Sequence, residues 1–333
     1  MTPDEVLAVA QVFALPLRRE FRGVTVREGL LIEGPSGWGE FAPFADHSDV
    51  HAGRWLAAAM EQAFGSWPQP LRERVPVNAI IPSTDAQTTR ALLEEALQQG
   101  CTTIKTKVGA PDFDADIERV AIIRGALDDA GVQGAIRIDT NQRWTLTQAV
   151  ERVAVLDAIA GGLEYVEQPV ADLTDLQELR RRIDVRVAVD EGIRLSNDPG
   201  RAVAALREVA DVAVFKAIPL GGLMPALELA AQCALPVVVS GSLDSSVGLA
   251  SGLWLAACLP ELSLACGLGT GALLAHDVVP APQTVTDGAL RVTRTVPLQF
   301  DPAGLVDDDM RERWRARLLR AWQHAGIAGQ GAR

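Results

Sequence analysis

Residues 102–108 read TTIKTKV, and stretches of the same kind recur at 135–141 (AIRIDTN), 163–169 (LEYVEQP), 185–191 (VRVAVDE), 211–218 (DVAVFKAI) and 236–242 (PVVVSGS). Each is short, rich in β-branched residues and closed by polar ones, which is how a buried parallel strand reads. Between them run amphipathic segments such as DAQTTRALLEEALQQG (85–100) and DADIERVAIIRGALDDAG (114–131). Their apolar residues recur at three- and four-residue spacing and each stops at a glycine, which predicts helices. With VPVNAII (75–81) before and LSLACGLG (262–269) after, the pattern is eight strands joined by seven helices between residues 75 and 271. That count predicts an α/β fold with a (β/α)7β TIM-like barrel. A doubly wound open sheet is the alternative, and it lacks support because no GxGxxG follows the first strand.

The flanks read differently. VLAVAQVFALPL (6–17), a turn at REFRG (19–23), VTVREGLLIEG (24–34) and GWGEFAPF (37–44) predict antiparallel strands, followed by a helix from His51 to Phe64. In the tail, GALRVTRTVPL (288–298) is strand-like, and MRERWRARLLRAWQ (310–323) predicts a helix with Trp314, Leu318 and Trp322 on one stripe. The expected division is 1–74 as an N-terminal α+β capping domain, 75–283 as the barrel, and 284–333 as a segment returning to the cap.

The 333 residues are 48% hydrophobic and 22% charged, with a net charge of −12. This acidic balance argues against general nucleic-acid or membrane-surface binding. No apolar run reaches the ~20 residues of a membrane span. The start, MTPDEVLAVAQ, carries acids where a secretory signal is basic, so a cytoplasmic protein is expected. The cysteines (Cys101, Cys233, Cys258, Cys266) form no CxxC pair, so neither a disulfide framework nor a zinc site is signalled. One count stands out. Of 31 Lys and Arg residues, only Lys105, Lys107 and Lys216 are lysine.

In a barrel of this kind chemistry sits at the C-terminal ends of the strands. The side-chain period of two turns Lys105 and Lys107 to one face, and Arg137, Asp139 and Asn141 likewise. Glu167 ends the fourth strand, Asp190 the fifth, and Lys216 lies on the sixth. Asp139, Glu167 and Asp190 are 28 and 23 residues apart, each interval about one βα unit. Carboxylates converging at ~4 Å repel by about 4 kcal/mol per pair at an effective dielectric near 20. A cation among them removes that cost. All-oxygen ligands without His or Cys suit Mg²⁺, or Mn²⁺, rather than Zn²⁺. A general base must shed a proton near neutral pH, which a lysine of depressed pKa does and arginine does not. Lys107 and Lys216 place an amine on each side of a substrate held at the mouth. After the seventh strand, Ser240-Gly241-Ser242-Leu243-Asp244-Ser245-Ser246 opens a helix, and its small hydroxyl residues suit an anionic group.

Taken together, KTKVG, IDTNQRW, YVEQP, VDEGIR, FKAIPLGG, SGSLDSSVGLA and GLGTGALLAHDV resemble the enolase superfamily and, within it, the muconate lactonizing enzyme subgroup. The resemblance covers the whole chain and is most similar to the o-succinylbenzoate synthase family. It implies that Asp139, Glu167 and Asp190 bind Mg²⁺ and that Lys107 removes the proton α to the carboxylate of a small anionic substrate. It implies further that Lys216 stabilises the enediolate against the opposite ring face and that Lys105 binds the carboxylate and depresses the pKa of Lys107. Asn141 matches a DxN pattern that positions a ligand or substrate oxygen. Arg137, Ser240, Gly241 and Ser242 join it as expected substrate-binding residues, the serine cluster taking a second carboxylate.

N-acylamino acid racemases and muconate-type cycloisomerases carry the same lysine pair and stay open as alternatives. Dipeptide epimerases of the subgroup have an acidic pair on the eighth strand. That strand reads Cys266-Gly267-Leu268-Gly269-Thr270-Gly271, without an acid, which disfavours an ammonium-bearing substrate. A second-base histidine of the mandelate racemase kind is absent. A class I aldolase using Lys216 as a Schiff base is the competitor from another class. The cap loops 16–23 and 42–50 are the expected substrate-facing loops, and His47 reads as a loop-surface residue.

Overall fold

The computed structural model describes residues 1–21 and 23–327. Arg22, in the expected loop 16–23, and the last six residues of the tail lie outside them. The chain opens with a short helix, α1 (Pro3–Ala8), started by a Thr2–Glu5 capping box with Pro3 at the first position. The sequence reading placed strand from residue 6, so this helix is a correction. The antiparallel sheet follows in the order β1 (Ala10–Phe21), β2 (Val24–Gly34) and β3 (Gly37–Phe41). Helix α2 (Asp49–Phe64), capped by Ser48, packs on one face of the sheet.

Next come β4 (Arg74–Pro76), β5 (Ala79–Ile81), α3 (Ala86–Gln98), β6 (Thr103–Lys107), α4 (Phe113–Asp129), β7 (Ala135–Asp139) and α5 (Leu146–Ala160). The alternation continues through β8 (Leu163–Glu167), α6 (Leu173–Arg180), β9 (Val187–Val189), α7 (Glu191–Arg194), α8 (Pro199–Val209), β10 (Val212–Phe215), α9 (Leu223–Gln232), β11 (Val237–Val239) and α10 (Ser246–Cys258). Strands β5 to β11 form one parallel sheet in sequential order, curved as a half-barrel with the helices outside. Caps set the helix starts: Asp85, Asp112 and Thr145 each accept a hydrogen bond from the first turn that follows.

Two expected strands differ from the sequence reading. The run 75–81 splits at Val77 and Asn78 into β4, which pairs with β12 (Ala289–Arg291), and β5, which joins the parallel sheet. The expected eighth strand, 262–269, is reduced to parallel bridges, Ser240 with Gly267 and Val77 with Cys266. Backbone hydrogen bonds from Gly267 N to Val239 O and from Asn78 N to Cys266 O accompany those bridges.

Two large apolar clusters hold most of these layers. The larger lies between the parallel strands and their helices, through residues such as Ile104, Ile123, Ile138, Leu156, Phe215 and Leu253. The smaller joins the antiparallel sheet, α2 and the tail helix α11 (Asp308–Trp322). Trp314 and Leu318 of α11 meet Phe41, Trp55 and Leu56, with Phe41 and Trp314 edge to face at 5.8 Å. The tail helix thus returns to the N-terminal cap. His47 packs edge-on against Phe44 and beside Trp55 in the cap. Among the described residues, no helix is long and apolar enough to cross a membrane.

Candidate active site

The C-terminal ends of β6 to β10 gather the expected residues. Lys105 Nζ donates to Glu167 Oε2 at 2.9 Å and lies 3.5 Å from Asp139 Oδ2. Lys107 Nζ donates to Asp139 Oδ2 at 2.5 Å and to Asn141 Oδ1 at 2.8 Å. Across the mouth, Lys216, just past the end of β10, donates to Asp190 Oδ2 at 2.7 Å. Asp139, Glu167 and Asp190 are each 1% exposed, whereas the Lys107 side chain is 16% exposed and the most accessible of the amines.

The backbone beneath these side chains is held in uncommon conformations. Asn141, Gln142 and Gln168 have φ of 48°, 66° and 40°, left-handed values that cost a non-glycine residue on the order of 1 kcal/mol or more. Cross-strand hydrogen bonds offset the cost. The Thr140 hydroxyl donates to Gln168 O, and Gln168 Oε1 accepts from the backbone N–H of both Asp190 and Gly192. Gln168 therefore ties the end of β8 to the residue that carries Asp190.

The electrostatics follow from burial and from these pairings. Burial opposes ionisation of Asp139 and of Asp190, but the amines beside Asp139 and the Arg194 and Lys216 cations beside Asp190 outweigh it and hold both well below the usual carboxylate range. Burial pushes Glu167 up, the neighbouring Asp139 charge adds to that, and it reaches about 7. For Lys105, Glu167 and Asp139 overcome the cost of burial and raise its pKa. Lys107 goes the other way: burial, helped by the Lys105 charge, outweighs Asp139 and lowers it.

Among the described residues, no three Asp, Glu, His or Cys side chains are arranged to hold a metal ion. Ammonium groups engage one oxygen each of Asp139, Glu167 and Asp190, and so take the place of a cation between them. The donor set nonetheless fits a hard divalent ion. It consists of carboxylates on three neighbouring strands, and Glu167 Oε1 is buried without a hydrogen-bond partner.

Two expectations need correction. Arg137 shares the inward face with Asp139 but lies two residues deeper. It is 0% exposed, and its guanidinium donates to Glu164, Asn78 and the Ala265 carbonyl, so it braces the interior below the mouth. At the helix start after β11, expected to receive a substrate carboxylate, the backbone donors that follow are taken within the protein. Glu40 Oε2, from β3, accepts from Ser245 N, Ser245 Oγ and Gly248 N, and Asp277 accepts from Ser246 N and Oγ. The N–H groups of Ser240, Gly241 and Ser242 go to Phe215 O, Gly267 O and Asp244 Oδ2. The acceptors at this helix start come from the protein's own Glu40 and Asp277.

Several residues at the site were not singled out from the sequence. Phe21, at the end of β1, sets its ring 5.7 Å from Lys107 Nζ and brings the cap to the mouth. Arg194 and Glu191 sit beside Asp190. Glu40 and Asp244 are buried next to each other, flanked by Arg27, whose guanidinium donates to Leu243 O and Ala42 O. No local signal marks Glu40, since its partners are more than 200 residues away.

Glu40 carries a pH prediction. Burial and the Asp244 charge push it up to about 8 from 4.5. The folded chain then keeps a proton that the unfolded chain releases, so the stability Glu40 lends falls as pH rises between 4.5 and about 8 and is level above. Glu40→Gln keeps an acceptor for the helix start and does not titrate. Its melting temperature, compared with that of the unaltered chain from pH 5 to 9, is expected to gain on the order of 5 °C at the alkaline end. Parallel pH profiles for the two proteins would refute the assignment.

Comparison with known proteins places the chain in a family. Residues 88–297 match the family model Enolase C-terminal domain-like, and residues 12–63 match Enolase N-terminal domain-like. An o-succinylbenzoate synthase from Thermobifida fusca is 44% identical over 321 residues, covering 93% of this chain and 95% of the relative. One from Mycobacterium tuberculosis is 47% identical over 296 residues, covering 88% and 86%. Among solved structures, a muconate lactonizing enzyme from Pseudomonas fluorescens, complexed with muconolactone, has a TM-score of 0.74 at 21% identity, covering 92% of this chain and 97% of that one. The L-Ala-D/L-Glu epimerase from Bacillus subtilis has a TM-score of 0.72 at 22% identity, covering 87% and 96%. The solved structures share the fold, and the sequence relatives define the family. The chain belongs to the enolase superfamily and, within it, to the family of the o-succinylbenzoate synthases.

Proposed function

We propose that this chain is an o-succinylbenzoate synthase, a hydro-lyase of menaquinone biosynthesis. Its substrate would be 2-succinyl-6-hydroxy-2,4-cyclohexadiene-1-carboxylate (SHCHC), which loses water to give 2-succinylbenzoate. The observation that carries the mechanism is the pair of amines, Lys107 and Lys216, on opposite sides of a mouth lined by Asp139, Glu167 and Asp190. Supporting the scaffold, the bridges through Cys266 and Gly267 are what closure of a (β/α)7β barrel requires. The division then runs 1–74 cap, 75–283 barrel and 284–333 return to the cap. All four cysteines are free thiols, in keeping with a reducing, cytoplasmic setting.

Asp139, Glu167 and Asp190 are the residues that would hold Mg²⁺, or Mn²⁺. Bound there, the ion supplies Lewis-acid stabilisation of the charge that develops on the substrate carboxylate. The remaining work falls to side chains. Lys107 Nζ takes the proton from the carbon α to the ring carboxylate, for which its lowered pKa suits it. Lys105, kept as an ammonium by Glu167 and Asp139, offers positive charge to the carboxylate as it gains electrons. Lys216 lies against the other ring face. The electron pair then expels the ring hydroxyl, Lys107 Nζ returns its proton to the departing oxygen, and water leaves from the same face as the ring becomes aromatic. Asn141, bonded to Lys107, fixes the direction of the amine. Arg137, braced below the mouth by Glu164, Asn78 and the Ala265 carbonyl, and Ser240 and Gly241, whose backbone N–H groups are taken, support the site from beneath. Ser242 is the member of that cluster left as a candidate contact for the succinyl carboxylate.

The same two amines suit a two-base proton exchange, so racemisation of an N-acylamino acid is the second reading. Muconate-type cycloisomerisation is a further one of the same superfamily. A class I aldolase with a Schiff base on Lys216 is the reading from another class. A spectrophotometric assay with SHCHC should show turnover that EDTA abolishes and Mg²⁺ restores. Racemisation of N-acetyl amino acids, run beside it, should be slower in kcat/KM. Absence of SHCHC turnover by active-site-intact protein in Mg²⁺ would refute the synthase reading, and borohydride trapping with substrate would reveal an aldolase.

A further inference from the structure

Among the described residues, Arg194 is a large cation at the mouth to which neither the chemistry nor the family motif assigns a task. It ends the short helix α7, four residues after Asp190 and three after Glu191, so helical spacing turns it back onto both. Its side chain is 5% exposed. Nε donates to Asp190 Oδ1 at 3.1 Å and Nη2 donates to Glu191 Oε1 at 2.7 Å. The other Asp190 oxygen, Oδ2, is the one that accepts from Lys216. Glu191 Oε1 also accepts from Asn141 Nδ2 at 3.0 Å, and Asn141 Oδ1 accepts from Lys107. An unbroken series of hydrogen bonds therefore runs from Lys107 through Asn141, Glu191, Arg194 and Asp190 to Lys216, with Arg194 joining its two halves.

We propose that Arg194 is a positioning residue: by bridging Asp190 and Glu191 it fixes the plane of the Asp190 carboxylate for metal binding and, through Asn141, the direction of the Lys107 amine. A planar guanidinium serves two acceptors in fixed directions, which an ammonium on a flexible stem does not. Pinning Oδ1 leaves Oδ2, held by the single exchangeable donor Lys216, as the oxygen free to change partners. Outer partners of this kind typically tune metal affinity by 10–100-fold. Arg194 has no need to touch the substrate for this.

The inference rests on the synthase reading only for its kinetic arm, because metal affinity is measured without substrate. Mg²⁺ binding by calorimetry, thermal unfolding, and kcat and KM for SHCHC across a Mg²⁺ series would be compared for the unaltered chain, Arg194→Gln, Arg194→Lys and Glu191→Gln. Arg194→Gln is expected to bind Mg²⁺ 10–100-fold more weakly, Arg194→Lys to regain part of the loss, and Glu191→Gln to lose less than Arg194→Gln. Raising Mg²⁺ should restore part of kcat, with KM for substrate changed little. A residue that merely supports the fold would shift the melting temperature and leave Mg²⁺ affinity alone, and that result in folded Arg194→Gln or Arg194→Lys overturns the proposal. Should both fail to fold, Glu191→Gln decides, and unchanged Mg²⁺ affinity there overturns it too. A wild-type chain that binds no Mg²⁺ refutes the proposal outright. One that binds Mg²⁺ but ignores SHCHC refutes the synthase reading alone.

Discussion

Lys107→Ala is expected to lower kcat for SHCHC on the order of 10³–10⁴-fold, and Lys107→Arg by nearly as much. The second substitution is the more telling. Arginine keeps the positive charge and reaches Asp139 and Asn141, the partners of Lys107. It cannot give up its proton near neutral pH, so a residue whose task is to take one is lost with its charge conserved. Mg²⁺ binding, followed by calorimetry, should persist in both variants because all three carboxylates remain. Exchange of the α-proton of a slow substrate with deuterated water should vanish with turnover. An Arg variant that retains a tenth of the activity would remove Lys107 from the role of base and leave it as an electrostatic anchor.

Asp190→Asn is expected to act on the metal and on the fold together. The carboxylate stands between Lys216 and Arg194, with one oxygen on each, at 1% exposure. Removing its charge leaves two buried cations facing a neutral amide, and breaking a buried ion pair in this way costs about 3–5 kcal/mol. Mg²⁺ affinity should fall by more than about 100-fold, beyond the loss that outer partners produce. A lower melting temperature with an unchanged Mg²⁺ titration would mean that Asp190 organises the cations and is not itself a ligand.

How far the sequence could be read depends on how local each signal was. The ends of β6, β7 and β8 were legible because a period of two turns Lys105 and Lys107, or Arg137 and Asp139, to one face of a strand. Alternation reveals the face and says nothing of depth, which is why Arg137 was expected at the mouth and lies below it. The run 262–269 carries apolar residues at strand-like spacing, yet its β-bridges are made by Cys266 and Gly267, so its pattern overstated its length. Thr2-Pro3-Asp4-Glu5 contains the cap of α1 in plain form, and the apolar residues that follow masked it. Arg194 was also within reach, since its spacing from Asp190 and Glu191 is helical. Glu40 was not. Its burial depends on a helix start met only when the chain has folded back, and no window of sequence contains both.

The scarcity of lysine has a practical use in chemical labelling. All three ε-amines are inside the mouth, with Lys105 and Lys216 at 5% and 8% exposure, and every other fixed cation of the chain is an arginine. An acylating reagent therefore finds the N-terminal amine on the outside and, beyond it, mainly Lys107. Once the terminus is blocked, the mass gained by the protein becomes a direct gauge of whether the mouth is filled. Ligands can then be ranked by the protection they give, without any assay of turnover.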